Sequence, residues 1–378
     1  MKITRIRTTP VRIPVDRRVG TVADTKGFRF TSRILVVEIE TDAGLTGLGE
    51  VNGSPDWSGE TCDGAQALIE QHLAPRLLGE DPRQVRHCLE RLRRVFGNSF
   101  ARAGLEMALL DLLGRALDTP IYQLLGGLVR SREIPLRFPI MPVGPTASAE
   151  VARRVHAEGF QTIKLKVGHD PLEHDLERVR QVREAVGPAV RLTVDANGGW
   201  SVNEAIRAAR ELERHDVLFI EQPVHRLDLD GLAEVRRRVA QPLMADEAIF
   251  TPQDAQRCLA LRAADIISVY PGKHGGILAT TEIVAMCETA GVRCAIGSNL
   301  EWDIASSAMA HLAVALPNIA CEQYAADIIG PFFHTRHAHT TGCVVTGGTL
   351  TVPDGPGLGV NLDRDQLEAL RDDRAAPA

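Results

Sequence analysis

Ile163-Lys164-Leu165-Lys166-Val167, Leu192-Thr193-Val194-Asp195-Ala196-Asn197, Phe219-Ile220-Glu221-Gln222-Pro223 and Leu243-Met244-Ala245-Asp246-Glu247 are four short apolar runs, each closed by charged side chains. Asp195, Glu221 and Asp246 follow one another at intervals of 26 and 25 residues. That interval holds one strand, one helix and two short loops. A repeated strand-then-helix unit makes parallel strands, so all the strand tips point one way. Two lysines and three acids then meet at one mouth, and in a β/α barrel the C-terminal mouth is where catalytic side chains gather.

Outward from this stretch the alternation continues. Strands are predicted to end near Met141, Lys166, Asp195, Glu221, Asp246, Tyr270, Gly297 and Glu322, with helices between them at 148–158, 172–186, 203–214, 229–239, 252–261, 276–290 and 304–315. Asp170-Pro171, Ser201 and Thr251-Pro252 suit helix starts, and Gly159, Gly187 and Gly291 suit helix ends. Eight units predict a (β/α)8-type barrel. An open doubly wound sheet is the rival, but the glycines do not form a nucleotide-binding fingerprint at any strand–helix junction.

Before the barrel, residues 1–55 read as an antiparallel sheet and 65–125 as helices at 66–78, 82–95 and 101–117, stopped by Gly126-Gly127. Two polar loops, 15–30 and 52–64 (the second carrying Trp57), are long enough to be lids over a site. The expected division is an α+β module over 1–127, a barrel over 128–325, and a segment over 326–378 that folds back on the first module. Residues 371–378 read as a disordered end.

The chain of 378 residues, 44% hydrophobic and 24% charged with net charge −6, has the composition of a soluble globular protein. It carries no basic stripe for nucleic acid and no apolar run long enough to span a membrane. The start is a charged strand rather than a signal peptide. Seven scattered cysteines without a Cys-x-x-Cys pair predict reduced structural thiols and a cytoplasmic location.

Each acid alone is an ordinary strand-end residue. Three on consecutive strands form an all-oxygen donor set suited to a hard divalent ion such as Mg²⁺. Lys164 and Lys166 are two apart on a strand and share a face, and a lysine becomes a base when a neighbouring cation disfavours its protonated form. Asn197 is placed to support the metal's surroundings, and Glu247 to do the same or to hold a substrate amine. Lys273, Glu301 and Trp302 follow the sixth and seventh strands as specificity residues. His334, His337 and His339 are close enough in sequence for a transition-metal group, but a polar tail makes solvated histidines the plainer reading.

Lys-x-Lys, Asp-x-Asn, Glu-Gln-Pro and Asp-Glu, one set per strand, resemble the enolase superfamily and, within it, the muconate-lactonizing-enzyme subgroup. The likeness extends to the Leu-Leu-Gly-Gly that ends the first module, to Gly275-Gly276, and to the Asp354-Gly-Pro-Gly-Leu-Gly tail. The resemblance implies a (β/α)7β barrel under an N-terminal α+β capping domain whose loops close over the substrate. It also implies Mg²⁺ on Asp195, Glu221 and Asp246, with Lys166 as the base and Lys164 lowering its pKa. The shared chemistry is removal of the proton alpha to a carboxylate, giving a metal-stabilised enediolate. A small carboxylate substrate and a homo-oligomer are the implied partners.

One position departs from the subgroup. The second lysine usual five residues before Gly275 is Tyr270, and Lys273 stands three residues later in what reads as a loop. A tyrosine is a poor base at neutral pH. A single strong base suits elimination of water from a β-hydroxy acid, a cis-3-hydroxy-L-proline-like amino acid included, more than two-base racemisation. Racemase, epimerase or cycloisomerase action is the alternative reading. A non-catalytic ligand-binding barrel is the rival from another class, and the intact ligand set speaks against it.

Overall fold

The computed structural model describes residues 1–16 and 31–372. Most of the 15–30 loop, read as a lid, lies outside the described residues, as does the stretch 373–378 of the end read as disordered.

β1 (Ile3–Pro14), β2 (Thr31–Thr41) and β3 (Thr46–Val51) form an antiparallel sheet in that order. The apolar run of β2 is buried because the sheet lies on α3 (Ser99–Ala116). Contact between them is backbone to backbone: a Cβ at Gly49 would stand 1.8 Å from the carbonyl oxygen of Gly104. The predicted helix 66–78 is resolved into three pitches, α1 (Cys62–Leu68), a π turn (Ile69–Leu73) and a 3-10 turn (Ala74–Arg76). Pro75 lacks the N–H that an unbroken α-helix needs there. α2 (Val85–Leu92) is shorter than the predicted 82–95, and α4 (Ile121–Leu124) stops before Gly126 and Gly127, both at positive φ.

β4 (Glu133–Pro135) precedes the barrel strands. These are β5 (Arg137–Ile140), β6 (Thr162–Lys166), β7 (Arg191–Asp195), β8 (Val217–Glu221), β9 (Leu243–Ala245), β10 (Ile266–Val269) and β11 (Arg293–Ile296), parallel and in sequence order. Between them run α5 (Pro145–Ala157), α6 (Leu172–Val186), α7 (Val202–Leu212), α8 (Leu229–Arg238), α9 (Pro252–Leu261), the short α10 (Pro271–His274) with α11 (Ile277–Thr289), and α12 (Asp303–Ala315) after β11. Ser201 and Thr251 each close a capping box, and α6 starts at the N-cap Pro171.

The eighth position differs from the expected strand ending near Glu322. Single parallel bridges, Cys294 to Ile319 and Leu136 to Ala326, carry the closure, and Glu322 lies in a turn with a mostly exposed side chain. The polar Glu322-Gln323 pair interrupts the apolar run, so regular pairing is not sustained. Asp327 is the side chain this segment delivers to the interior. The architecture is a curled parallel α/β barrel of the (β/α)7β kind beneath a capping module.

After α13 (Gly330–Phe333), β12 (His339–Thr341) pairs with β15 (Asn361–Leu362), while β13 (Val344–Thr346) and β14 (Thr349–Thr351) build a sheet with β4. After α14 (Arg364–Ala369) the chain returns to β1, where Arg12 N–H donates to the Leu370 carbonyl at 2.8 Å and Asp372 N–H to that of Pro10 at 2.9 Å. All seven cysteines are unpaired and buried.

Two glutamates join the cap to the barrel. Glu50 of β3 accepts from the N–H groups of Trp302 (2.7 Å), Ile304 (3.2 Å) and Ala305 (3.0 Å) at the start of α12. Glu106 of α3 accepts from Ile277 (2.6 Å) and Leu278 (2.7 Å) at the start of α11. A helix N-terminus leaves such donors unsatisfied and favours negative charge, so each glutamate acts as a cap supplied from another module. Gly276, at φ 140°, makes the approach possible, since a Cβ there would lie 2.4 Å from the Glu106 carboxyl carbon.

Candidate active site

Parallel register aligns Lys166 with Asp195 and Asp195 with Glu221 across β6, β7 and β8. Asp246 follows β9 by one residue. All three acids are buried. Lys166 Nζ donates to Asp195 Oδ2 at 2.6 Å and to Asn197 Oδ1 at 2.8 Å, and Asn197 Nδ2 donates to Glu247 Oε1 at 2.6 Å. Asn197 and Gln222 both hold positive φ, 42° and 36°, so strained backbone sits at two strand tips. Gln222 spans neighbouring tips by accepting from Asp246 N–H at 2.9 Å.

The three lysines differ in freedom. Lys164 Nζ is enclosed by Asp327 Oδ2 at 2.5 Å and by Asp195 Oδ2 and Glu221 Oε2, each at 3.4 Å. Lys273 lies in α10 rather than in a loop, because the Gly275 turn winds the preceding residues into a helical turn. It is fully buried and donates to Asp246 Oδ1 (2.7 Å), the Asp246 carbonyl (3.0 Å) and the Ser268 carbonyl (2.7 Å), which uses all its protons. Lys164 and Lys273 side chains are 4% and 0% exposed, whereas Lys166 keeps 19%. Lys166 is the least enclosed of the three.

Tyr270 is fully buried, its hydroxyl has no hydrogen-bond partner, and its ring lies among Trp57, Phe100 and the Lys273 ammonium. Burial, and then the charges of Asp246, Glu301 and Glu247, push its pKa well above the usual phenol value. Trp57, from the 52–64 loop, also stacks near Phe250 at 5.2 Å between ring centroids. Reciprocal amide contacts hold that loop to the one after β11: Asn52 Nδ2 to the Asn299 carbonyl at 2.7 Å and Asn299 Nδ2 to the Asn52 carbonyl at 2.6 Å. A cleft of about 330 Å³ opens between Trp57, Asn197, Gln222, His225, Arg226 and Glu247.

Glu301 is buried and turned back onto Ser298 Oγ (2.6 Å) and the Asn299 N–H (3.0 Å). The Trp302 side chain is fully buried and gives its indole N–H to the Arg336 carbonyl at 3.1 Å. That geometry packs the Trp302 ring in the core against the tail, immediately before α12 begins.

Two interior residues were not singled out from sequence. Arg137, fully buried in β5, lies 3.5 Å from Asp327 and 3.8 Å from Glu221. A lone arginine inside an apolar parallel strand was a readable signal for it. Asp327 had none, since it follows an irregular segment.

Six carboxyl groups (Asp195, Glu221, Asp246, Glu247, Glu301, Asp327) thus share this interior with four cations (Arg137, Lys164, Lys166, Lys273). Burial and neighbouring acids push Glu221 up to about 7 and Glu247 up to about 8, and burial pushes Glu301 up to about 7. Burial lowers the charge state of Lys164 less than Asp327, Glu221 and Asp195 favour it, so its pKa ends raised. Burial acts against the Asp195 anion, but Lys166 and Lys164 outweigh it and hold that carboxyl low. Six carboxyl groups against four cations, and all-oxygen donors, suit a divalent hard ion, whose charge would favour the ionised form of the raised glutamates. Asp195 and Asp246 are turned here onto Lys166 and Lys273. Among the described residues the only trio of ligand atoms drawn within 4.8 Å of one another lies elsewhere, at Asp303, His337 and His339.

Comparison with known proteins matches residues 3–126 to the mandelate racemase / muconate lactonizing enzyme N-terminal domain and residues 147–366 to the enolase C-terminal domain-like family. The L-Ala-D/L-Glu epimerase of Bacillus subtilis is 35% identical over 95% of this chain and 97% of its own length. The crystal structure of the N-succinyl Arg/Lys racemase from Bacillus cereus superposes with a TM-score of 0.92 at 29% identity, covering 98% of both chains. The dipeptide epimerase from Enterococcus faecalis, solved with Mg and the dipeptide L-Leu-L-Tyr, gives a TM-score of 0.89 at 32% identity over 96% of this chain and all of that one. No helix among the described residues is long and apolar enough to cross a membrane.

Proposed function

This chain belongs to the mandelate racemase / muconate lactonizing enzyme family of the enolase superfamily, and we propose that Lys166 removes the proton alpha to the carboxylate of a small substrate held over the strand tips. The supporting observation is the contrast between the lysines: Lys164 and Lys273 are locked in buried ion pairs, whereas Lys166, although paired with Asp195, keeps a partly exposed side chain and bonds Asn197, which lines the cleft. Asp195, Glu221 and Asp246 are the residues that would hold Mg²⁺. The ion, when bound, supplies the positive charge that makes a proton beside a carboxylate acidic enough to remove.

The rest of the chemistry falls to the protein. Lys166, fixed by Asp195 and Asn197, takes the proton at Nζ. Lys164 and Arg137 keep further positive charge near the carboxylate of the developing dianion. Glu247, whose Oε2 is buried without a partner, is placed to accept from a substrate ammonium. Trp57 and the paired Asn52 and Asn299 exclude water from the mouth.

Tyr270 supports the finer reading. A buried phenol held protonated does not serve as a base, so Tyr270 offers no second base for a reverse abstraction. One-base chemistry then runs to β-elimination: the Cα–H electrons form the new double bond, the β-C–O bond breaks, and the hydroxyl leaves as water with the proton that Lys166 took from Cα. A β-hydroxy acid is the substrate class, a cis-3-hydroxy-L-proline-like amino acid among them. The relatives named above are isomerases by name, which keeps racemisation, epimerisation or cycloisomerisation as the second reading.

Hydroxy amino acids, dipeptides and N-acyl amino acids incubated in D₂O with Mg²⁺ separate the two. The proposal expects loss of water and no deuterium in the inverted enantiomer. Deuterium entering with inversion and without dehydration transfers the chain to the isomerase reading.

A further inference from the structure

The C-terminal segment carries a second group of ligand-type side chains. Asp303 opens α12 and is buried, and its two carboxylate oxygens meet the Nδ1 atoms of His337 at 2.8 Å and His339 at 2.5 Å. The imidazoles lie edge to face, with ring centroids 5.2 Å apart at 71°. All three ligand atoms fall within 4.8 Å of one another. Gly342 leaves room for the His339 ring, since a Cβ there would come 3.1 Å from His339 Cδ2. The group can be reached: the His337 and His339 side chains keep 33% and 16% exposure, and a cleft of about 720 Å³ runs beside His339.

We propose that Asp303, His337 and His339 form a structural binding site for a first-row divalent ion, with Zn²⁺ the best fit. Two imidazoles and one carboxylate suit zinc, whereas Mg²⁺ takes oxygen donors, so the two ions sort between this site and the barrel mouth by chemistry. Zinc at the usual bond lengths holds tetrahedral ligand atoms about 3.3 Å apart. The two Asp–His contacts therefore open by less than about 1 Å on binding, within the reach of ordinary side-chain rotation. Each Nδ1 proton now donated to Asp303 is released to solvent, and the nitrogen lone pair turns to the ion. Water from the cleft completes the fourth position. The ion then ties the tail to the first turn of α12, which Glu50 holds from the other side.

The test uses the full chain, stripped with chelator and titrated calorimetrically with Zn²⁺ in excess Mg²⁺. One equivalent is expected, together with a rise in thermal midpoint. The double variant His337→Ala/His339→Ala is expected to lose that equivalent, and Asp195→Asn/Glu221→Gln to keep it. His339→Gln, which preserves size and a hydrogen bond, gives the same answer if the double variant does not fold: zinc binding weaker by about tenfold or more. The proposal is overturned by a parent protein that takes up no Zn²⁺, by uptake unchanged in the histidine variants, or by uptake lost with Asp195 and Glu221.

Discussion

Lys166 and Tyr270 can be separated by single substitutions because they carry different structural burdens. Lys166→Ala removes a partly exposed amine and leaves Asp195 with Lys164, so the fold should survive while turnover falls by about 10²–10⁴-fold, the usual worth of a positioned base. Steady-state kinetics with circular dichroism as the folding control checks this, and turnover within tenfold of the parent would assign the base elsewhere. Tyr270→Phe deletes a hydroxyl that has no partner, so no hydrogen bond is broken. Its thermal midpoint should stay close to the parent's. A large drop in turnover would then make the phenol a participant in the chemistry, and an unchanged rate would leave it as packing for Trp57 and Phe100.

Among the elements, α11 and α12 depend on carboxylates that belong to the cap. Burial raises Glu50 to about 8 and Glu106 to about 7, against the restoring pull of the helix N–H groups. The folded protein thus keeps protons that the unfolded chain gives up near 4.5. Stability from this source is fully present below 4.5 and is lost as pH rises through 7 to 8. Denaturant midpoints measured from pH 5 to 8.5 should fall along that range, and Glu50→Gln, already neutral, should flatten the slope. Sequence made the helices themselves legible, because caps such as Ser201 and Thr251 act within a few residues. It could not reveal caps that arrive from 171 to 255 residues away. The same limit governs the site. Lys164, Lys166 and the three acids could be read because each closes an apolar strand. Asp327 and the enclosure of Lys273 depend on contacts that only the closed barrel makes.

For the molecule as a whole, one buried aspartate gathers three parts of the chain. Asp111 of α3 accepts from Leu48 N–H in β3 (2.9 Å), Leu358 N–H in the tail (2.7 Å) and Arg115 Nε (2.7 Å). Asp111→Ala strands two buried amide donors and a guanidinium, and should cost about 3 kcal/mol or more. Chemical denaturation would show it, and a loss under about 1 kcal/mol would mean that water replaces the carboxylate.

The carboxylates reaching from β3 and α3 into the starts of α12 and α11 also bear on ancestry and engineering. A cap transplanted from a relative onto this barrel would seat only if it brought an acid to each of the two places that Glu50 and Glu106 now fill, and only if the barrel kept a glycine at 276. Cap and barrel are therefore bound to be inherited together, and chimeras of this family should sort into viable and failed combinations by those three positions before any substrate is offered.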